Sequence, residues 1–478
     1  MKSTTNRFRQ SSKAALENAK IQASLRGLYT GFNKARQQAS EATEGWEAMQ
    51  NQARVIKTHT LDNLDHYLEM MESNVKNNGG KVYFAKDASA AAKYVTELAS
   101  ARDVKVAIKG KSMVSEEMDL NTKLAEAGIE SVETDLGEYI IQLAGQSPFH
   151  IIAPAIHMSK DDVADVFHKN LGTPRYDEAS DLASEARARL RDVFTQADIG
   201  ITGANFMIAE TGSIVLVTNE GNGRMCTSMP RIHVAITGME KVIPSLEDLS
   251  IFLRLLIRSA TGQKISTYVT TIDGPRNQDE ENGPDEFHLI IVDNGRSKLL
   301  ADPELRESLY CIRCGACLNA CPVYRKVGGH TYGWVYSGPI GAVITPVLTN
   351  VSDSKDLPYA SSLCGACREA CPVKINIPRM LLHLRKELAE GTSHPSNNNV
   401  PLSERFAMKM WRLSVASSLM IRLSSQILRF LQRPFVINGR LHSLPPPLSG
   451  WIRYRTLRPL ASKPFRTRFR SLSKDSHD

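Results

Sequence analysis

The sequence predicts an α/β domain with a largely parallel sheet, followed by a small cysteine-rich domain. Short β-rich runs alternate with helical stretches between residues 81 and 300, which is the pattern of repeated strand and helix units. Most of the apolar runs are continuous, as in strands that are buried on both faces. Seven of the eight cysteines lie between Cys311 and Cys371. Since the N-terminus lacks the apolar core of a secretory signal, this cluster indicates metal ligation rather than disulfides.

Charge is concentrated at the end of the chain. Residues 401–478 carry 15 Lys and Arg against 3 Asp and Glu, a net of +12, so the total of +8 for the 478 residues leaves −4 on residues 1–400. No basic face therefore runs through the folded body, and nucleic acid is not a predicted partner. The stretch 327–352 has no formal charge, but glycines and prolines interrupt it, so we predict no membrane span and a cytoplasmic location.

Four segments follow from the order of these patterns. Residues 1–75 form a predicted helical extension, in which apolar side chains recur at helical spacing. Residues 76–300 form the α/β domain, 301–392 the cysteine-rich domain, and 393–478 a basic helical tail. Polar turn-forming residues mark a loop at 273–287 and a linker at 391–401.

The strands of the α/β domain are predicted at eight apolar runs. These are KVYFA (81–85), VKVAIKG (104–110), IESVETD (129–135), FHIIAPA (149–155), ADIGITG (197–203), SIVLVTN (213–219), RIHVAIT (231–237) and EFHLIIVDNG (286–295). Asp87 is the predicted N-cap of the Ala-rich helix that follows the first run. Further helices are predicted at 161–171, 179–194 and 246–259.

The cysteines follow the spacing of a cluster-binding loop. Two residues separate Cys311 from Cys314 and Cys314 from Cys317, and Cys321 follows after three more residues and precedes Pro322. Bacterial ferredoxins hold iron–sulfur clusters with this spacing. A tight loop wraps three thiolates around one cluster, while the fourth cysteine points away from it. The pattern therefore predicts an α-helical ferredoxin-type domain.

A second copy of the motif lies 50 residues further along the chain. Three cysteines recur at this offset: Cys314, Cys317 and Cys321 return as Cys364, Cys367 and Cys371. Ser361 stands at the position that corresponds to Cys311. The repeat therefore predicts two iron–sulfur clusters, which we take to be of the [4Fe–4S] type.

In two-cluster domains the fourth cysteine of each motif ligates the other cluster. Cluster one then takes Cys311, Cys314, Cys317 and Cys371, and cluster two takes Cys321, Cys364 and Cys367. Cluster two lacks one thiolate, and three possibilities are open. Ser361 supplies an alkoxide, a [3Fe–4S] cluster forms, or a [4Fe–4S] cluster keeps one iron for solvent or a partner's ligand. We favour a [4Fe–4S] cluster with a non-cysteine or labile fourth ligand.

Zinc is the main alternative, since paired Cys-x2-Cys motifs also occur in zinc ribbons. Seven cysteines in one duplicated pattern divide badly into tetrahedral sets of four, so the spacing favours iron and sulfide. Cys226 lies far from the other seven in sequence and is predicted to be a small buried apolar residue.

The α/β domain offers candidates for a small-anion pocket. Lys109, Lys111 and Ser112 end a predicted strand and open a helix, where backbone N–H groups and ammonium groups can converge on a carboxylate or phosphate. His157 follows the apolar run 149–156, and Glu210 precedes a strand. Each has a simpler explanation: solvated lysines, a helix cap, a structural histidine and a turn. No GxGxxG or P-loop is present in the sequence.

Two further stretches complete the pattern. They are GGHTYGWVYSGPIGAVITP (328–346) and ADIGITGANFMIAETGSIVLVTNEGNGRMCTSMPRIHVAITGMEKVIP (197–244). With the cysteine repeat, they make the chain resemble lactate utilisation protein B over about residues 45–400. The resemblance implies that the α/β domain is similar in fold to glucosamine-phosphate deaminase and ribose-phosphate isomerase.

The resemblance also implies a function. The chain is expected to be the iron–sulfur subunit of a three-protein system that oxidises L-lactate to pyruvate, rather than an enzyme alone. Its implied partners are a cysteine-rich iron–sulfur protein and a second protein with a lactate-utilisation domain. Two alternatives stay open: an autonomous α/β enzyme on a sugar phosphate or thioester, with structural clusters, and an assembly scaffold. The apolar and basic tail is also compatible with peripheral contact at the inner face of a membrane.

Overall fold

A computed structural model describes residues 3–390, 402–446, 448–452, 455–465 and 467–469. The chain divides into two compact units, residues 1–394 and 395–478. The predicted linker at 391–401 lies outside the described residues. Among the described residues, no helix is long and apolar enough to cross a membrane.

The first unit begins with helices, as the apolar spacing predicts. They are α1 (Phe8–Glu17), α2 (Ala19–Leu28), α3 (Lys34–Glu41), α4 (Trp46–Asp62) and α5 (Leu64–Asn77). A π-helical turn, Tyr29–Asn33, joins α2 to α3. The apolar faces of these helices belong to the same core as the cysteine-rich segment, since Leu25, Met49 and Ala53 share one buried cluster with Cys314 and Cys371.

Two sheets follow the helices. Their strands are β1 (Lys81–Ala85), β2 (Val106–Lys109), β3 (Glu130–Glu133), β4 (Ile199–Thr202), β5 (Phe206–Ile208), β6 (Ser213–Thr218), β7 (Ile232–Gly238), β8 (Val242–Ile243), β9 (Tyr268–Ile272) and β10 (Glu286–Val292). The larger sheet is parallel throughout, in the order β1-β10-β7-β4-β2-β3. Every residue of the central strands β4 and β7 is buried, which explains their continuous apolar runs. The parallel sheet is thus confirmed.

The smaller sheet has the order β8-β5-β6-β9, with β6 antiparallel to both of its neighbours. Three of its strands, β5, β8 and β9, were not predicted, and SIVLVTN belongs to this sheet rather than to the parallel one. The predicted strand FHIIAPA is wrong, because residues 149–155 form bends and turns. Phe149 and His150 are nevertheless buried, so the apolar run reflects loop packing rather than a strand.

Helices cover the sheets. They are α6 (Ala88–Ala101), α7 (Met113–Glu117), α8 (Leu120–Glu126), α9 (Leu136–Leu143), α10 (Lys160–Leu171), α11 (Ala179–Gln196), α12 (Asn222–Ser228) and α13 (Leu246–Thr261). The three helices predicted among the strands, at 161–171, 179–194 and 246–259, correspond to α10, α11 and α13 and are confirmed. The Asp87 carboxylate accepts a hydrogen bond from the backbone N–H of Ala90 at 2.7 Å, so it caps α6 as predicted.

The cysteine-rich segment is built from short helices and tight turns. Its helices are α14 (Arg296–Ala301), α15 (Ala316–Ala320), α16 (Tyr324–Val327), α17 (Gly338–Leu348), α18 (Ala366–Glu369) and α19 (Ile377–Glu390). The second unit contains α20 (Leu402–Val415), α21 (Ser418–Gln432) and the short strands β11 (Val436–Ile437) and β12 (Arg440–Leu441). Helices α20 and α21 bury none of their described residues.

Candidate metal centre and the adjoining cavity

The two cysteine loops have left-handed residues at corresponding positions. Arg313 and Gly315 have φ of +61° and +75°, and the residues 50 positions later, Leu363 and Gly365, have φ of +55° and +86°. These left-handed residues turn each loop tightly before a short helix, α15 or α18, begins. The structure therefore confirms that the sequence repeat is a repeat of local geometry.

Four thiols of the repeat line one buried cavity. They are those of Cys311, Cys314, Cys317 and Cys371, and the rest of the lining is apolar apart from Arg313. Burial, and then the neighbouring thiol of Cys311, raise the pKa of Cys314 to about 12. Burial likewise raises the pKa of Cys317 and of Cys371. Thiolates in such a place need a bound cation to stabilise them, so this donor set fits an iron–sulfur cluster.

The other three thiols differ in their exposure to solvent. Cys321 and Cys367 are buried, whereas Cys364 is exposed. After burial, the Cys321 thiol is the strongest influence that raises the pKa of Cys367, and it acts more strongly than Cys364 does. This influence indicates that the Cys321 and Cys367 thiols are close together, as expected if both bind the same cluster. A hydrogen bond from Ser362 lowers the pKa of Cys364.

Ser361 stands at the missing position of this set. Its hydroxyl oxygen accepts a hydrogen bond from the backbone N–H of Leu363 at 3.1 Å. A crevice of about 400 Å³ opens beside Cys364, and Tyr29 and Arg36 of the N-terminal helical segment line it. The second set of thiols therefore borders solvent-accessible space at Cys364.

A buried network of charges adjoins the first set. Arg296 donates from Nη1 to Glu117 at 2.9 Å and from Nε to Glu240 at 2.7 Å, and all three side chains are almost inaccessible to solvent. Arg313, which lies between two cysteines of the loop, donates to Glu240 at 3.2 Å and stacks over the Tyr336 ring at 4.6 Å. The α/β residues are thus fixed directly to the cysteine loop.

The charges explain the pKa of Glu240. Burial opposes its ionisation, but Arg296 and Arg313 hold its pKa down at about 2. Gly238 must lack a side chain here, because a Cβ would lie 2.0 Å from a carboxylate oxygen of Glu240. Burial, and then Arg313, lower the pKa of Lys241 to about 8.

A cavity of about 350 Å³ lies at the carboxyl ends of the parallel strands. This is the edge where ligands bind in open α/β sheets. Two of the five residues predicted for an anion pocket, Lys111 and Ser112, line this cavity. Lys111 donates to the backbone carbonyl of Ile152 at 2.7 Å, and the Ser112 hydroxyl accepts from the N–H of Ser115, as a helix cap does.

The other three predicted pocket residues lie outside the lining. Lys109 is buried against Glu133 and donates to Asn121 at 2.7 Å. His157 stacks on Phe149 at 4.8 Å, and Glu210 accepts from the N–H of Leu246 at the start of α13. His157 follows no strand, so the prediction that it ends one is wrong. Cys226 is fully buried, as predicted.

Sequence reasoning missed four charged residues that line the cavity, namely Asp135, Glu240, Lys241 and Arg313. Glu240 and Lys241 directly follow strand β7, so their position after a buried run was an available signal. The sequence gives no such signal for Arg313, because this residue is far from β7 in sequence and its contact with Glu240 cannot be seen there.

Comparisons with known proteins match both parts of the chain. Residues 68–292 match the LUD domain family, and residues 307–375 match the 4Fe-4S dicluster domain family. The second match agrees with the seven clustered cysteines. The chain therefore has a ferredoxin-type domain with two [4Fe–4S] clusters.

Curated relatives match nearly the whole chain. Lactate utilization protein B of Anoxybacillus flavithermus is 44% identical over 452 residues, which cover 94% of each chain. Lactate utilization protein B of Bacillus velezensis is 42% identical and covers 99% of this chain and 98% of its own length. A crystal structure of a DUF162 family protein from Deinococcus radiodurans covers 48% of this chain and 98% of its own, with 12% identity and a TM-score of 0.28.

Proposed function

Since this chain belongs to the lactate utilization protein B family, we propose that it is the electron-transferring iron–sulfur subunit of a system that oxidises L-lactate to pyruvate. One observation carries the proposal. Four thiols line a buried cavity that adjoins the large cavity of the α/β region, while the second set reaches the surface at Cys364. A buried cluster one and a cluster two that reaches the surface at Cys364 would suit the transfer of electrons from an internal donor to an external acceptor.

The proposed ligands are those of the crossed arrangement. Cys311, Cys314, Cys317 and Cys371 hold cluster one, and Cys321, Cys364 and Cys367 hold cluster two. When bound, each cluster accepts and releases one electron, and oxidation of L-lactate to pyruvate releases two electrons and two protons. The apolar wall of the first cavity excludes water, which favours the less charged state of a cluster and so influences its potential.

The proposed partners are a cysteine-rich iron–sulfur protein and a second protein with a lactate-utilisation domain. The test is to add L-lactate to anaerobically purified protein together with both partners and to follow the clusters by visible absorption and electron paramagnetic resonance. Reduction by L-lactate, and none by D-lactate, is the expected result. Clusters that dithionite reduces but L-lactate does not would contradict the proposal.

The α/β region is proposed to have the glucosamine-phosphate deaminase and ribose-phosphate isomerase type of fold. The parallel sheet with a ligand-sized cavity at its carboxyl edge supports this assignment. Residues 76–300 and 301–392 are the proposed α/β and cluster domains, preceded by the helical extension of residues 1–75 and followed by the basic tail, 393–478. A solved structure of a close relative, compared strand by strand, would test the fold assignment.

Ser361 allows a test of the second cluster. We expect Ser361→Cys to supply a fourth thiolate and to slow the loss of iron from cluster two in air at least severalfold, because an iron without a protein thiolate is the one most easily lost. Ser361→Ala is the matched control, and an unchanged rate of iron loss in it would show that the hydroxyl is not a ligand. The measurement is iron and sulfide content against time. Faster loss from Ser361→Cys than from the natural protein would contradict the prediction.

The tail is proposed to contact an anionic membrane surface peripherally. Helices α20 and α21 expose Trp411, Leu428 and Phe430 among arginines, and such helices lie in lipid interfaces. We expect Leu428→Glu to weaken co-sedimentation of the full chain with phosphatidylglycerol vesicles by at least tenfold. The variant loses about 1.5–3 kcal/mol of apolar burial and adds a negative charge that the anionic lipid repels. Gln426→Glu makes the same change of charge at an exposed polar residue and is the control. Equal binding of both variants would argue against insertion of the apolar face.

A further inference from the structure

The large cavity and the cavity of cluster one share a wall. Ile151 and Arg313 line both of them. Arg313 belongs to the cysteine loop, whereas Thr237, Glu240 and Lys241, at the end of β7 and just after it, line the large cavity from the α/β side. A ligand in the large cavity would therefore lie beside the loop that carries Cys311 and Cys314.

Two cations in this cavity have hydrogen-bonding capacity that the protein does not use. Lys241 is 8% exposed, and within the described residues its ammonium group makes no hydrogen bond or salt bridge. Nη1 of Arg313 is buried and has no hydrogen-bond partner there either, although Nη2 of the same guanidinium binds Glu240. A fully buried donor such as Nη1 of Arg313 is normally satisfied, because one left unpaired costs about 1–3 kcal/mol.

The carboxylates of the network are already paired. Glu240 accepts from Arg296 and Arg313, and Glu117 accepts from Arg296 and from the Tyr336 hydroxyl at 2.7 Å. No second carboxylate is therefore available to Lys241 from this network. An oxygen of a ligand bound in the cavity would give both groups an acceptor.

We propose that this cavity binds a small organic monocarboxylate of the 2-hydroxy or 2-oxo acid class, with Lys241 and Arg313 holding its carboxylate. A planar guanidinium and an adjacent ammonium suit the two oxygens of a carboxylate. Asp135, Glu220 and Glu240 also line the cavity, and they disfavour a doubly charged phosphate ester. Leu216 and Ile257 supply apolar surface for a short alkyl group. This inference rests on the proposed function, since it names where that reaction's substrate or product binds.

The test is equilibrium binding of L-lactate and of pyruvate to the anaerobically purified full chain without partners, by isothermal titration calorimetry. We expect Lys241→Met to weaken binding at least tenfold and Lys241→Arg to restore most of it. Lys105→Met, an exposed lysine at the opposite end of strand β2, should bind as the natural protein does. Iron content and visible absorption establish that each variant is folded and loaded.

Three results would overturn the inference. The first is that neither L-lactate nor pyruvate binds the natural protein at millimolar concentration. The second is that Lys241→Met shifts the reduction potential of cluster one but leaves binding unchanged, which would make Lys241 a counter-charge for the cluster only. The third is tighter binding of inorganic phosphate than of pyruvate. Failure of lactate-driven reduction in the three-protein assay, with carboxylate binding intact, would instead refute the proposed function and leave this site standing.

Discussion

Cys371→Ser is expected to eliminate cluster one and to abolish lactate-driven reduction, even though Cys371 lies in the second copy of the motif. Its thiol lines the same buried cavity as Cys311, Cys314 and Cys317, and a buried thiolate cannot be replaced there by solvent. Iron content should fall from about eight to about four atoms per chain, the content of one [4Fe–4S] cluster.

The control for this variant is Cys226→Ala. Cys226 is fully buried but hydrogen-bonds Thr134 at 3.3 Å, far from both cysteine loops in sequence, so iron content and spectra should not change. Electron paramagnetic resonance of the dithionite-reduced proteins makes the comparison. An unchanged cluster-one signal in Cys371→Ser would refute the crossed ligation, and selective loss of the outer cluster would assign Cys371 to its own loop instead.

The sequence predicts the cysteine-rich segment well because its information is local. The ligand spacing and the glycines at positive φ each act within one tight turn of chain, and that turn recurs 50 residues later. The strands β4, β7 and β10 were also predicted correctly, since burial on both faces makes their apolar runs continuous. Both signals can be read from a few adjacent residues.

The failures come from contacts between distant residues. Residues 149–155 look like a strand, but Phe149 packs on His330 at 5.0 Å and His150 hydrogen-bonds Asn319 at 3.0 Å. The run is apolar because it packs against the cysteine-rich segment, not because it enters a sheet. The strands β5 and β8 have three and two residues, too few for any alternation to be detected.

The cavity shows the same limit. Lys111 and Ser112 follow a strand directly and were found, whereas Arg313 and Glu240 meet across 73 residues of sequence. A basic residue between two cysteines has no periodicity that points to an α/β cavity. Only the packing of the α/β region against the cysteine-rich segment reveals that the cysteine loop lines this cavity through Arg313.

Arg296→Met is expected to cause the largest loss of stability of any single change in the α/β region. Arg296 is fully buried and binds both oxygens of Glu117, at 2.9 and 3.0 Å, as well as Glu240. Methionine fills much of the same volume but leaves two buried carboxylates without their main counter-charge. Breaking a buried ion pair in this way costs about 3–5 kcal/mol. The free energy of unfolding from anaerobic urea titration should fall by that amount.

The matched control is Arg189→Met, which removes an exposed arginine paired with Glu185 one helical turn away. Exposed pairs of this kind contribute only about 0.3–0.5 kcal/mol. A second variant separates charge from packing: Glu117→Gln added to Arg296→Met removes one unpaired carboxylate and should recover part of the loss. If the free energy of unfolding of Arg296→Met lies within about 1 kcal/mol of that of the natural protein, the network is not what fixes Glu240 and Arg313.

Arg313 lies inside the cluster-one loop, so loss of this network should also speed the removal of iron from cluster one by a chelator. Such a result would link the stability of the α/β region to retention of the cluster.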